Sequence, residues 1–248
     1  MMLPSGNDAA YTVAEYFSNV IFEVKYKKMP QKHQEKIRSF AYQRHPIRFF
    51  LNEMNCYAKE LGMKESYFDS PHGLMNRFNV STVADMAKLM HVCMKIPMFR
   101  KVVSTTRIDT RAKESVNKVK TRYMWKTTNK LLGTRMDQET GKWVARCEGV
   151  KGCKTGITPA AGPCFAGYFE RRCFVGHPTL EQQSEKFQEI MVIVLNSKTM
   201  DQRWVEIPQL VDWFLEVKSK ALTDIDLCAN KPPHLRPTSS SQRKSRLR

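Results

Sequence analysis

The run Glu189 to Asn196, E-I-M-V-I-V-L-N, restricts the fold more than any other stretch of this 248-residue chain. Its six consecutive apolar residues, Ile190 to Leu195, include four β-branched ones and show no polar alternation. A run this short, with both faces apolar, reads as a central strand buried on each side. Pro163 to Phe169 reads as a second strand. Between the two, Arg171 to Phe187 is too polar and too long for a tight hairpin and reads as an insertion.

Upstream the period changes. Asn7 to about Lys27 carries Ala9, Ala10, Val13, Ala14, Phe17, Val20 and Ile21 at helical spacing, with Ser5 or Asn7 as a natural N-cap. After a polar stretch to Tyr42, Pro46 opens a second helix with Phe49, Phe50, Met54, Tyr57, Ala58 and Leu61 on one side, ending at Gly62. Ser66 to Asn79 is turn-rich, and Ser81 or Thr82 caps a third helix, Val83 to about Lys95, whose buried stripe is Ala84, Ala87, Met90 and Met94. Phe99 to Trp125 suits a hairpin built from the runs Val102 to Ile108 and Val119 to Trp125. Thr127 to Gly133 reads as a turn into a short helix, the segment to Val150 as a surface loop, and Ile207 to about Lys218 as a last amphipathic helix. With 42% hydrophobic residues the chain can bury one core. The order predicts an α+β domain over residues 1–220, helical over about 7–100 and sheet-forming over about 101–218. Residues 221–248 form a basic, Pro/Ser-rich tail expected to be disordered.

The stretch that carries chemistry is Val150 to Gly162, V-K-G-C-K-T-G-I-T-P-A-A-G. Lys154, Thr155 and Gly156 place a cation, a hydroxyl and a residue without a Cβ in succession on an extended segment. The lysine can attract a carboxylate and the threonine can hydrogen-bond it, while the glycine lets a ligand backbone come close to the strand. The triplet alone is weak, because a given three-residue word occurs by chance in about one chain of this size in twenty. The net charge of +17 favours polyanions, and Lys231, Arg236, Arg243, Lys244, Arg246 and Arg248 contribute to it from the tail without an acid among them. Seven cysteines lack C-x-x-C pairing and histidine at zinc spacing, so neither a metal site nor a cofactor is expected. Cys56 and Cys93, on apolar helix faces, read as buried thiols. No apolar run reaches the about 20 residues of a spanning helix, and Met1 to Asn7 has no signal-peptide character, so no integral membrane segment is expected and no compartment is indicated.

Five phrases stand in a telling order: Ser5-Gly6-Asn7; His72-Gly73-Leu74; Asn79-Val80-Ser81-Thr82 with Asp85; Thr128-Asn129-Lys130-Leu131-Leu132-Gly133; and Gly149 to Gly156 followed by Thr158, Ala161 and Gly162. From about Leu3 to Leu215 the chain resembles the D-alanyl-D-alanine carboxypeptidase family of serine peptidases, in the penicillin-binding protein and β-lactamase superfamily. That superfamily uses S-x-x-K, S-x-N and K-T-G. The resemblance implies a partial fold of that kind, lacking its N-terminal strands, and acyl-enzyme hydrolysis of the terminal D-Ala of peptidoglycan-type peptides. By the same resemblance Ser5 relays a proton to the leaving amine, and Asn7 bonds the substrate carbonyl or the activating lysine. Lys154 and Thr155 bind the terminal carboxylate, and the backbone N–H of Ile157, beyond Gly156, supplies one oxyanion donor. His72 reads as a turn histidine and Cys153 as packing under the strand. No S-x-x-K precedes Ser5; Ser115-Val116-Asn117-Lys118 and Ser241-Gln242-Arg243-Lys244 fall in the wrong places. The 248 residues are therefore predicted inactive by themselves, as an incomplete chain or an inactive relative, with β-lactams as ligands only if the absent segment is supplied. The alternative is a non-catalytic basic protein that binds peptide ends, nucleic acid or another polyanion, with weak polyanion binding through the tail.

Overall fold

A sheet of three antiparallel strands, β5 (Val150–Thr158), β6 (Gly162–Val175) and β7 (Ser184–Val194), carries the second half of the chain, with β6 in the middle. This computed structural model describes residues 1–44, 46–113, 120–175 and 184–229. Both misplaced S-x-x-K matches, residues 115–118 and 241–244, and the basic tail from residue 230 lie outside the described residues. The apolar run expected to be a central strand is thus β7, at an edge of the described sheet. Its composition follows from coverage rather than from the number of neighbouring strands. Helix α4 (Val83–Cys93) packs on β7, and so does α6 (Gln202–Ala229), so both faces of the run are covered in part: Ile190 and Val192 are buried, whereas Met191 and Leu195 stay exposed.

The expected insertion is in large part strand. Arg171 pairs with Gln188, Arg172 with Phe187 and Val175 with Ser184, so β6 and β7 continue as one long hairpin. Arg171 at this end reaches Asp212 of α6, and Lys218 of α6 donates to Gln188. Further upstream, α5 (Pro97–Val103) takes residues assigned to the first hairpin run, and the hairpin proper is β1 (Arg107–Lys113) on β2 (Lys120–Lys126). Residues 127–133 stay a turn, and the loop beyond contains a short ribbon, β3 (Thr134–Met136) on β4 (Trp143–Ala145). Helix α2 (Gln31–Arg44) replaces the polar stretch. Its Gln, Lys, Glu and Arg residues are good helix formers, yet they leave no apolar stripe for periodicity to reveal.

Two cores sandwich the sheet. On one face Phe165 and Phe169 of β6 and Ile190 and Val192 of β7 meet Ile207 and Val211 of α6. On the other, Cys153 and Tyr168 meet Met90 within α4, Met94 just after it, and Val103 of α5. Gly167 makes the first core possible, since a Cβ there would lie 2.1 Å from the Phe165 ring. Phe169 is 0% exposed, and Phe169→Ala should cost about 3–5 kcal/mol, read as a lowered urea midpoint at unchanged slope. Helix α1 (Asn7–Tyr26) packs on α3 (Arg48–Glu60) through Ala14, Ile47 and Leu51, and through Phe22 and Phe49.

Some expected stripes are narrower than predicted. Ala84 is exposed and Ala87 half-buried, while Asp85 is buried, accepting from Ser66 Oγ, the Glu65 N–H and Lys88 Nζ. The Lys88 hydrogen bond holds its carboxyl below the usual carboxylate range. Cys56 is exposed and Cys93 only half-buried, whereas Cys147 and Cys153 are the buried thiols. Helix α6 starts earlier and ends later than the expected Ile207 to Lys218, and Trp213 lies exposed on it. No described helix is long and apolar enough to cross a membrane.

Candidate active site

Two segments far apart in sequence meet where β5 passes the start of α1. Lys154 Nζ donates to Ser5 Oγ at 2.5 Å and to its neighbour Thr155's carbonyl at 2.6 Å. The expected capping role of Ser5 and Asn7 is not what the structure shows: the N-cap of α1 is Gly6, without a side-chain cap bond. Ser5 instead holds φ +59°, a left-handed conformation that costs a non-glycine residue about 1–2 kcal/mol and that aims its hydroxyl at Lys154. Thr155 shares a 2.6 Å hydrogen bond with Thr128, hydroxyl to hydroxyl.

These residues line a cleft of ≈ 470 Å³, together with Asn7, His72, Lys130, Gly156, Ile157 and Arg203. All six sequence-predicted site residues, Ser5, Asn7, Lys154, Thr155, Gly156 and Ile157, are therefore brought to one wall-and-floor arrangement. His72 also lines it, and its Nδ1 accepts the Leu74 N–H, so the ring is tied into its own turn. Cys153 stays out of the cleft: it is buried with its thiol against Met94, and burial pushes that thiol up to about 12. The neighbouring lysine does not activate it.

Burial lowers Lys154 from its ordinary 10.5, and the Arg203 charge lowers it further. Arg203 was not found from sequence. It is 3% exposed, donates Nη1 to the carbonyls of Gly156 and Cys164, and lies over the Trp204 ring. Gly156 and Cys164 are cross-strand partners, so Arg203 clamps β5 to β6 at the K-T-G triplet. Only the fold reveals this, because Arg203 precedes the apolar periodicity that marks α6 and belongs to no motif. Gly156 has an ordinary backbone, and a Cβ there would meet nothing closer than Cys164 Cβ at 3.9 Å. The protein's own packing does not require glycine at this position, and the open space lies along the strand wall of the cleft. The arrangement can hold an anion at Lys154 and Thr155 and can pass a proton between Lys154 and Ser5.

The D-alanyl-D-alanine carboxypeptidase family profile matches residues 47–171, half of the chain. This chain belongs to that family. A D-alanyl-D-alanine carboxypeptidase of Streptomyces sp. strain K15 is 30% identical over 164 residues, which cover 66% of this chain and 45% of the relative. Among solved structures, the DD-transpeptidase of the same Streptomyces strain superposes with TM-score 0.58 at 25% identity, over 86% of this chain and 63% of that one. Penicillin-binding protein D2 of Listeria monocytogenes, in its cefotaxime-bound form, superposes with TM-score 0.53 at 25% identity, over 86% and 62%. The chain thus spans less than half the length of the curated carboxypeptidase and under two thirds of these structures. The mixed fold of helices around an antiparallel sheet is the fold of the family's penicillin-binding members.

Proposed function

We propose that this chain provides the substrate-end half of a serine-type D-Ala-D-Ala carboxypeptidase site. The observation that carries the reading is the 2.5 Å contact between Lys154 and Ser5 inside a cleft walled by K-T-G. In this reading a peptide ending in D-Ala-D-Ala lies extended along β5, close to Gly156. Its terminal carboxylate meets Lys154 and the Thr155 hydroxyl, with Arg203 adding charge from behind the strand. Ser5 passes a proton to the departing D-Ala amine, and Lys154 holds the hydroxyl in place for it. Asn7 bonds the peptide carbonyl, and the Ile157 N–H supplies one of the two donors to the oxyanion. In this reading the nucleophile and its base belong to an S-x-x-K outside the residues of this cleft, and reaction with β-lactams depends on that segment.

Equilibrium binding of an N-acetylated peptide ending in D-Ala-D-Ala tests this reading against the same peptide with its C-terminus amidated. The amide should bind about tenfold or more weakly, the loss of one charge-assisted bond in a half-buried site. Equal binding of acid and amide would remove the carboxylate site and the reading with it.

A further inference from the structure

The cleft holds more positive charge than one peptide terminus uses. Lys154, Arg203 and Lys130 all line it, and none of its lining residues is Asp or Glu. Among the described residues neither Lys154 nor Arg203 has a carboxylate partner; Lys154 donates to a hydroxyl and a backbone carbonyl, and Arg203 Nη1 to two backbone carbonyls. A single terminal carboxylate answers that inner pair. Lys130 remains, at the rim and 63% exposed, held two residues from Thr128, which is itself hydrogen-bonded to Thr155. Its one acidic neighbour is Asp201 at 3.8 Å, a carboxylate 92% exposed. Such a surface pair contributes little and yields readily to a ligand.

We propose that the cleft selects peptides carrying a second carboxylate upstream of the terminal pair, met by Lys130. This rests on the carboxylate-end reading above. An extended peptide advances about 3.3 Å per residue, so the residue before the terminal pair sits several ångströms from Lys154, a span the cleft that Lys130 also lines can hold. Burial, and after it the Arg203 charge, depress Lys154, and added negative charge in the cleft favours its protonated form.

The test is equilibrium binding of two N-acetylated tripeptides, Glu-D-Ala-D-Ala and Gln-D-Ala-D-Ala, at low ionic strength. The glutamate peptide should bind about two- to fivefold more tightly to the wild-type chain, with the difference shrinking in high salt. The ratio should fall to about one in Lys130→Ala, survive in Lys130→Arg and invert in Lys130→Glu, with thermal midpoints confirming that each variant is folded. Equal binding to the wild type, or a preference that persists in Lys130→Ala, overturns the proposal while leaving the carboxylate site intact. Failure of both tripeptides and of acetylated D-Ala-D-Ala to bind overturns the carboxylate-end reading, and this inference falls with it.

Discussion

Joined to an upstream segment that contains S-x-x-K, the chain should gain covalent labelling by penicillin and hydrolysis of a D-Ala-D-Ala peptide, at a rate on the order of a millionfold above residues 1–248 alone. The size follows from what the nucleophile and its base supply in serine hydrolases: removing either costs about that factor in turnover, and binding plus the oxyanion hole leave only a remainder. What the described residues contribute is that remainder. In the proposed reading Lys154, Thr155 and the Ile157 N–H would orient a peptide end and Ser5 would move a proton, and none of them is assigned as the nucleophile. The Ser5 hydroxyl accepts from Lys154, and His72, which lines the same cleft, has its Nδ1 occupied by the Leu74 N–H. The measurement is mass spectrometry after exposure to penicillin. It should show one adduct in the joined protein, none when the serine of the added S-x-x-K is replaced by alanine, and none for the 248 residues. An adduct on residues 1–248 would mean that a nucleophile exists among them, and would overturn the division of labour proposed here.

How much of this was legible in the sequence depends on whether a signal was local. The K-T-G strand, the S-x-N at the head of α1 and the Thr82 cap of α4 were readable because each is a short pattern with its own chemistry; the Thr82 hydroxyl does accept the Asp85 N–H. What a pattern cannot say is which of two local roles wins. Ser5 reads by resemblance as a proton-relaying hydroxyl and, less strongly, as a cap; the structure makes Gly6 the N-cap and sets the Ser5 hydroxyl against Lys154, 149 residues away. Strand order was misread for a related reason. An apolar run reports that both faces are covered, whereas the number of strands beside it is set by partners elsewhere in the chain. Arg203 was invisible, and Asp85 stood only as part of the Asn79-to-Thr82 phrase without its burial, because a buried charge carries no periodicity. Each is defined by what it bonds: the Gly156 and Cys164 carbonyls for Arg203, and Ser66, Glu65 and Lys88 for Asp85. Helix α2 was missed because helix-forming residues without an apolar face look like a solvated loop.

Lys154→Ala should weaken binding of a D-Ala-D-Ala peptide about 10- to 100-fold, with little loss of fold. The interaction removed is a charge-assisted hydrogen bond in a half-buried cleft, where such bonds contribute about 1.5–3 kcal/mol. Folding should tolerate the change because Lys154 is not in an ion pair among the described residues, and its partners, the Ser5 hydroxyl and the Thr155 carbonyl, remain open to water in the cleft. Lys154→Arg should recover only part of the affinity, since a planar guanidinium does not reproduce the point contact of an ammonium with Ser5. The pH dependence separates charge from shape. Burial and Arg203 depress Lys154 below 10.5, so its proton is lost at lower pH than that of an exposed lysine. The bound carboxylate needs the protonated form, so affinity should be constant at neutral pH and fall as pH rises through the depressed value. The fall should be absent in Lys154→Ala and should begin at higher pH in Lys154→Arg. Titration calorimetry across the alkaline range reads both effects. An alkaline fall that persists unchanged in Lys154→Ala would assign the carboxylate to another lysine of the cleft, and Lys130, which also lines it, is the residue that would have to take it, since the Arg203 guanidinium keeps its charge across that range.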